Sequence, residues 1–140
     1  MPHKPRSLII LMADDDPDDR LMTEHALREN RLTNDLRFVE DGQELMAYLR
    51  RQGKYADPAT SPRPGLILLD LNMPRKDGRE ALAEIKADSD LRRIPVVVLT
   101  TSCAEEDILR TYDLGVNSFI TKPSSFQGLV QDMKVIGQYW

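Results

Sequence analysis

The chain has 140 residues, 41% of them apolar and 30% charged, which suits one domain with a sizeable core. Its net charge is −4 and no basic stripe runs through it, so it lacks the electrostatic footprint of a nucleic-acid binder. Cys103 is the only cysteine, which excludes an internal disulfide, and two histidines leave a four-ligand zinc site short of partners.

No apolar run approaches the roughly 20 residues of a membrane helix. The basic start through Arg6 is followed by too short an apolar run for a secretory signal, so the expected location is the cytoplasm, with no membrane partner. Residues 1–7 read as an N-terminal extension and 8–140 as one domain.

Leu8 to Met12 is an apolar run of the kind that forms a buried strand. It ends in Ala13-Asp14-Asp15-Asp16-Pro17-Asp18-Asp19. Asp16 before Pro17 predicts an N-cap and first helical residue, and Asp18 and Asp19 suit the positive end of the helix dipole. Asp14 and Asp15 are left in the strand-to-helix loop with no capping duty. The helix runs to about Asn30 with Met22, Ala26 and Leu27 inward, and His25 is expected as a partly buried structural residue near that face.

Leu36 to Val39 is a short strand, and Glu40-Asp41-Gly42 turns into a helix with Leu45, Met46 and Leu49 on one face. Residues 52–64, with Gly53, Pro58, Pro62 and Pro64, read as a long surface loop suited to interaction. Leu66-Ile67-Leu68-Leu69 is a buried strand that stops on a carboxylate, Asp70. Asn72-Met73-Pro74 form a loop, and Asp77-Gly78 leads into a helix to Ala87 with Ala81, Leu82 and Ile85 inward. Residues 88–94 connect to a strand over Ile94–Leu99, which ends in Thr100.

Residues 104–114 predict a helix stopped by Gly115. Ser118 to Thr121 is a fifth strand that ends in Lys122-Pro123. A fifth helix starts near Ser125 and carries Phe126 through Tyr139 and Trp140.

Strands alternating with helices predict an α/β doubly wound parallel sheet. Every strand's carboxyl end then lies on one rim. Asp14, Asp15, Asp70, Asn72, Thr100 and Lys122 meet there from four strands, a gathering that no local helix or turn requires. Clustered carboxylates repel one another and call for a proton or a cation. Hard oxygen donors without thiolate or imidazole suit Mg²⁺. A carboxylate beside Mg²⁺, with an ammonium and a hydroxyl near, is equipped for phosphoryl transfer.

These residues resemble the receiver domains of two-component response regulators over essentially the whole chain. The Asp70-x-Asn72-Met73-Pro74-x-x-Asp77-Gly78 run is specific by itself, and the acidic pair, Thr100 and Lys122-Pro123 follow in order. The resemblance implies a flavodoxin-like fold of strand order 2-1-3-4-5 with five helices. It implies a phosphoryl group taken from a histidine kinase on Asp70, with no turnover of a separate substrate. Asp14, Asp15, Asp70 and the Asn72 backbone carbonyl would hold Mg²⁺. Thr100 and Phe119 would be the switch pair and Lys122 the charge partner, aimed by a cis Lys122–Pro123 bond.

The Leu69–Pro74 run, the long loop before it, Leu99–Ser102, Phe119–Pro123 and the terminal Tyr139-Trp140 are similar to the small response regulators that partner bacterial and cyanobacterial phytochromes. The chain ends after the fifth helix, so the expectation is a stand-alone receiver. A terminal aromatic pair needs a packing partner. The expected one is a second copy, through the face of the fourth helix, fifth strand and fifth helix, with Phe126, Tyr139 and Trp140.

Other readings are a phosphorylation-independent interaction domain and a small phosphatase that forms an aspartyl phosphate. Asn72 stands where such phosphatases carry a second acid. A flavin module would need a phosphate-cradling loop after the first strand, where this chain has carboxylates.

Overall fold

The computed structural model describes residues 9–29, 35–70, 78–100 and 118–121, with residues 26, 27, 29, 99, 100 and 118–121 described by their backbone alone. Five strands, β1 (Ile9–Ala13), β2 (Asp35–Val39), β3 (Leu66–Asp70), β4 (Val96–Thr100) and β5 (Ser118–Thr121), form one sheet in the order β2-β1-β3-β4-β5. All four pairings are parallel. The expected fold class and strand order are therefore observed. Three helices are described: α1 (Pro17–Glu29), α2 (Gly42–Leu49) and α3 (Gly78–Ala87). The helices expected over 104–114 and from 125 lie outside the described residues.

The central strands are apolar because both their faces are covered. Leu66, Ile67, Leu68 and Leu69 are fully buried, as are Leu11 and Ala13. The period-2 alternation divides these residues between two faces. Leu11, Ala13, Ile67, Leu69, Val96 and Val98 join one core with Leu45 and Met46 of α2 and Ala81, Leu82 and Ile85 of α3. Ile10, Met12, Leu66, Leu68 and Val97 are equally buried and lie outside that cluster, on the other side of the sheet.

Three expectations change. Ile94 belongs to a 3₁₀ turn over Leu91–Arg93 rather than to β4. Its N–H donates to the Leu91 carbonyl at 3.0 Å, so the strand starts two residues later. Asp88 opens that turn by accepting from the N–H groups of Asp90 (2.8 Å) and Leu91 (3.1 Å), which holds its carboxyl below the usual range. His25 is exposed, and the buried residue of that stretch is Thr23, whose hydroxyl donates back to the Asp19 carbonyl at 2.9 Å. Met22 is half-buried.

The 52–64 segment lies at the surface, as expected, and it is pinned. It holds a 3₁₀ turn, Gly53–Tyr55. The Tyr48 hydroxyl donates to the Pro62 carbonyl at 2.8 Å, the Tyr55 hydroxyl donates to Glu44 Oε1 at 2.9 Å, and Arg37 donates to the Thr60 carbonyl. The two tyrosine rings meet at 5.0 Å, tilted by 53°.

Burial, and then the Glu44 carboxylate, push the Tyr55 phenol well above its ordinary value near 10. Burial also raises Tyr48. A folded-state value above the unfolded one means that the stabilisation is complete below the unfolded value and is lost as pH climbs past it. Alkaline titration is therefore expected to lower stability above about pH 10. Phenolate absorbance from these two rings should appear together with unfolding. Tyr55→Phe should shrink the alkaline loss, and early phenolate absorbance on a folded chain would contradict the packing.

The turn after α2 is a left-handed helix stop. Gln52 N–H donates to the Ala47 carbonyl at 2.9 Å and Arg51 N–H to the Tyr48 carbonyl at 3.2 Å, the paired bonds of a Schellman motif. The residue in the left-handed position is Arg51, at φ 55°. Glycine is the usual occupant, and a side chain there costs about 1 kcal/mol.

Candidate functional site

The strand order places the site. The chain runs outward from β1 to β2, then returns to the other side of β1 for β3. At that reversal the loops after β1 and β3 part, and open α/β sheets bind ligands in this crevice. Asp14 and Asp15 follow β1 and Asp70 ends β3. Ala13 pairs with Leu69, so the next residue on each strand, Asp14 and Asp70, is brought level at the rim.

One carboxylate oxygen each of Asp14, Asp15 and Asp70 lies within 4.8 Å of the others. Asp14 is fully buried, Asp70 is 4% exposed and Asp15 is exposed. Two buried acids therefore form the floor and one reaches solvent. Such a set fits Mg²⁺, which takes one or two carboxylates and keeps several waters. Among the described residues no thiolate or imidazole joins the group, so softer metals lack their preferred donors.

The backbone explains why Asp14 stands where it does. Its N–H donates to the Val39 carbonyl at 3.0 Å and so extends the β1–β2 ladder by one step. Its Oδ1 accepts from Asp16 N–H at 2.9 Å, and Asp16 Oδ1 in turn accepts from Asp18 N–H at 2.9 Å. The Asp16 N-cap and Pro17 start are as expected. Asp14 does not cap α1, as expected, but it braces the loop with one oxygen, as Asp side chains do two residues ahead of themselves.

The rest of the rim follows the strand register. Asp70 pairs with Leu99, so Thr100 stands one step beyond it on β4. Thr100 pairs with Thr121, and Phe119 pairs with Val98. The backbone thus carries Thr100 to the same rim. Asn72, Lys122, Pro123, Phe126, Tyr139 and Trp140 lie outside the described residues, as does the expected cis Lys122–Pro123 bond.

One rim residue was overlooked in the sequence. Asp41, 2% exposed, follows β2 and caps α2 by accepting from Glu44 N–H at 2.8 Å. Its signature, Asp41-x-x-Glu44, is that of a capping box, but Glu44 accepts from Tyr55 instead of reaching back.

The family model of the response regulator receiver domain matches residues 10–134. Response regulator Rcp1 of Synechocystis is 46% identical over 136 residues, which cover 97% of this chain and 90% of that protein. The crystal structure of the phosphorylated cyanobacterial phytochrome response regulator RcpA superposes with a TM-score of 0.89 at 47% identity, over 96% of this chain and 94% of that one. The Mn²⁺-bound form of Rcp1 superposes with a TM-score of 0.85 at 44% identity, over 95% and 94%.

Proposed function

The chain belongs to the response regulator receiver domain family, and from that premise we propose that Asp70 accepts a phosphoryl group from a histidine kinase. Receiver domains bind Mg²⁺ at an acidic pocket, and Asp14, Asp15 and Asp70 form one here. The observation that carries the reading is Asp70 itself: a carboxylate at the end of an apolar strand, 4% exposed, gathered with two other acids at the sheet's switch point.

The reaction follows from those positions. An Asp70 carboxylate oxygen attacks phosphorus, the new O–P bond forms, and the P–N bond to the kinase imidazole breaks. The imidazole leaves with the electron pair, neutral because its other ring nitrogen already carries a proton. Asp14, Asp15, Asp70 and the Asn72 carbonyl would hold Mg²⁺, which when bound would neutralise charge on the phosphoryl oxygens. Lys122 is the second cation, and the Thr100 hydroxyl donates to a phosphoryl oxygen. Thr100 and Phe119 then act as the switch that carries the change across β4 and β5, elements paired at Thr100–Thr121 and Val98–Phe119.

Residues 8–140 act as the receiver unit, after an extension over 1–7. The kinase is phytochrome-like, a reading supported by the similarity to RcpA. The compartment is the cytoplasm, where the kinase finds its ATP. The chain signals rather than turning over a separate substrate. Phe126, Tyr139 and Trp140 take part in a homodimer face with the fourth helix, fifth strand and fifth helix.

Acetyl phosphate with Mg²⁺ is the direct test. One phosphoryl group per chain is expected by intact mass, lost when Mg²⁺ is withheld. Continuous release of phosphate at many equivalents, with no labelled chain, would favour the phosphatase reading instead. The dimer is checked by solution mass with and without label, and a monomer in both states would remove it.

A further inference from the structure

At the opposite rim, where β3 and β4 begin, the chain builds a second concave site. A cavity of about 220 Å³ lies between the end of α2, the segment entering β3 and the turn entering β4. Arg50, Arg51 and Arg63 line it, together with buried Ser61 and with Asp90. Three arginines thus line a cavity that has one acidic residue, in a chain whose net charge is −4.

Each arginine is held differently. Arg63 forks onto Asp90, donating to its Oδ2 at 2.7 Å and its carbonyl at 2.9 Å, so the one carboxylate in the cavity is already engaged. Arg50 reaches Glu84 of α3 at 3.4 Å, a long contact between partly exposed groups. Arg51 makes no hydrogen bond or ion pair through its side chain among the described residues and is exposed.

Arg51 is the informative residue. It occupies the left-handed position of the helix stop, φ 55°, where a side chain is strained and glycine is not. Completing the helix does not explain it. A cation near the carboxyl end is supplied by Arg50. The carbonyls of Met46, Ala47 and Tyr48 already accept the N–H groups of Arg50, Gln52 and Arg51, so they do not present bare acceptors to the cavity. The strain keeps a third arginine on the lining of a cavity that already has two.

We propose that this cavity binds a phosphate-type dianion, with Arg51 as its principal free donor and Arg50, Arg63 and the Ser61 hydroxyl completing the set. The guanidinium fork suits two oxygens of one tetrahedral anion. The volume suits a single phosphate group or a small phosphate ester, being below the roughly 300 Å³ of ordinary ligand pockets. The site stands apart from Asp70, at the other end of β3, and does not depend on phosphorylation there.

Inorganic phosphate is the probe. It is titrated into the whole chain in metal-free buffer, at ionic strength held constant with potassium chloride, and followed by amide NMR shifts. Without metal the three carboxylates of the other rim repel anions. Saturable shifts are expected at residues 50–52, 61, 63, 65 and 90–94, with none from chloride alone. Arg51→Gly is expected to weaken binding at least tenfold. Glycine relaxes the left-handed turn, so the thermal midpoint should hold or rise, which separates lost binding from lost fold. This variant should still accept one phosphoryl group from acetyl phosphate, which keeps the two sites distinguishable. The proposal is overturned if phosphate gives no saturable shift, if chloride reproduces the shifts, or if Arg51→Gly binds phosphate as tightly as the parent chain.

Discussion

Replacing Asp70 with Asn removes phosphoryl labelling entirely while the fold stands. The amide nitrogen has no lone pair free for attack and the amide oxygen carries no charge, so the nucleophile is gone. The change conserves shape, which matters because Asp70 sits at 4% exposure directly after four fully buried residues. It also removes one of three negative charges gathered within 4.8 Å, so repulsion in the metal-free pocket falls. The thermal midpoint of Asp70→Asn without Mg²⁺ should therefore match or exceed that of the parent, and the increment that Mg²⁺ adds should shrink. Intact mass after acetyl phosphate and Mg²⁺ gives the answer. A label of parental yield on Asp70→Asn would move the acceptor elsewhere and end the assignment. An unfolded variant would instead be seen in its melting curve, and Asp70→Glu, which restores a carboxylate one methylene further out, then tests whether position as well as charge is needed.

Much of this site was legible in the chain because parallel strands buried on both faces announce themselves as apolar runs. Leu66 to Leu69 could only be a central strand, and whatever ended it had to stand at a rim. Asp70 ended it. The same logic applied to Met12-Ala13 and Asp14, and to Leu99 and Thr100. The strand order turned these ends into one site, and the backbone places them there.

What escaped the sequence depends on hydrogen bonds between distant segments. Nothing in the composition of residues 52–64 tells that Tyr48 will donate to Pro62 or Tyr55 to Glu44, so the sequence shows a surface loop but not what pins it. Ile94 extends an apolar run, but Asp88 nucleates a turn that claims it. His25 lies next to the helical face in sequence, yet that turn buries the smaller Thr23, whose hydroxyl is satisfied by the Asp19 carbonyl. Polar residues with two possible duties are the hardest to read. Asp14 serves both as a loop brace and as a member of the acidic group, and only its two oxygens, seen separately, show this.

That double duty decides how metal binding should be tested. Removing Asp14 to Ala would delete a carboxylate and also free the N–H of Asp16, the N-cap of α1, so lost binding and lost structure would arrive together. Asp15 is the cleaner choice: it is exposed, and among the described residues no hydrogen bond of its side chain supports the loop. Asp15→Asn is expected to weaken Mg²⁺ binding by at least ~10-fold, because affinity for hard cations tracks the number of charged oxygen ligands. A ligand that binds only the folded chain stabilises it by about 2.7 kcal/mol at a hundredfold excess over its dissociation constant. The parent chain should therefore melt several degrees higher with saturating Mg²⁺. At the same metal concentration Asp15→Asn should lose at least about 1.4 kcal/mol of that increment, since a tenfold loss of affinity corresponds to that energy. Without metal the two chains should melt alike, or the variant slightly higher as repulsion is relieved. Melting curves across a Mg²⁺ series read all of this. An Asp15→Asn chain with the full parental increment would place the ion outside the three carboxylates. A parent chain with no Mg²⁺ increment at all would mean that the acidic group settles its repulsion by holding a proton, and the phosphoryl chemistry proposed for Asp70 would lose its cation.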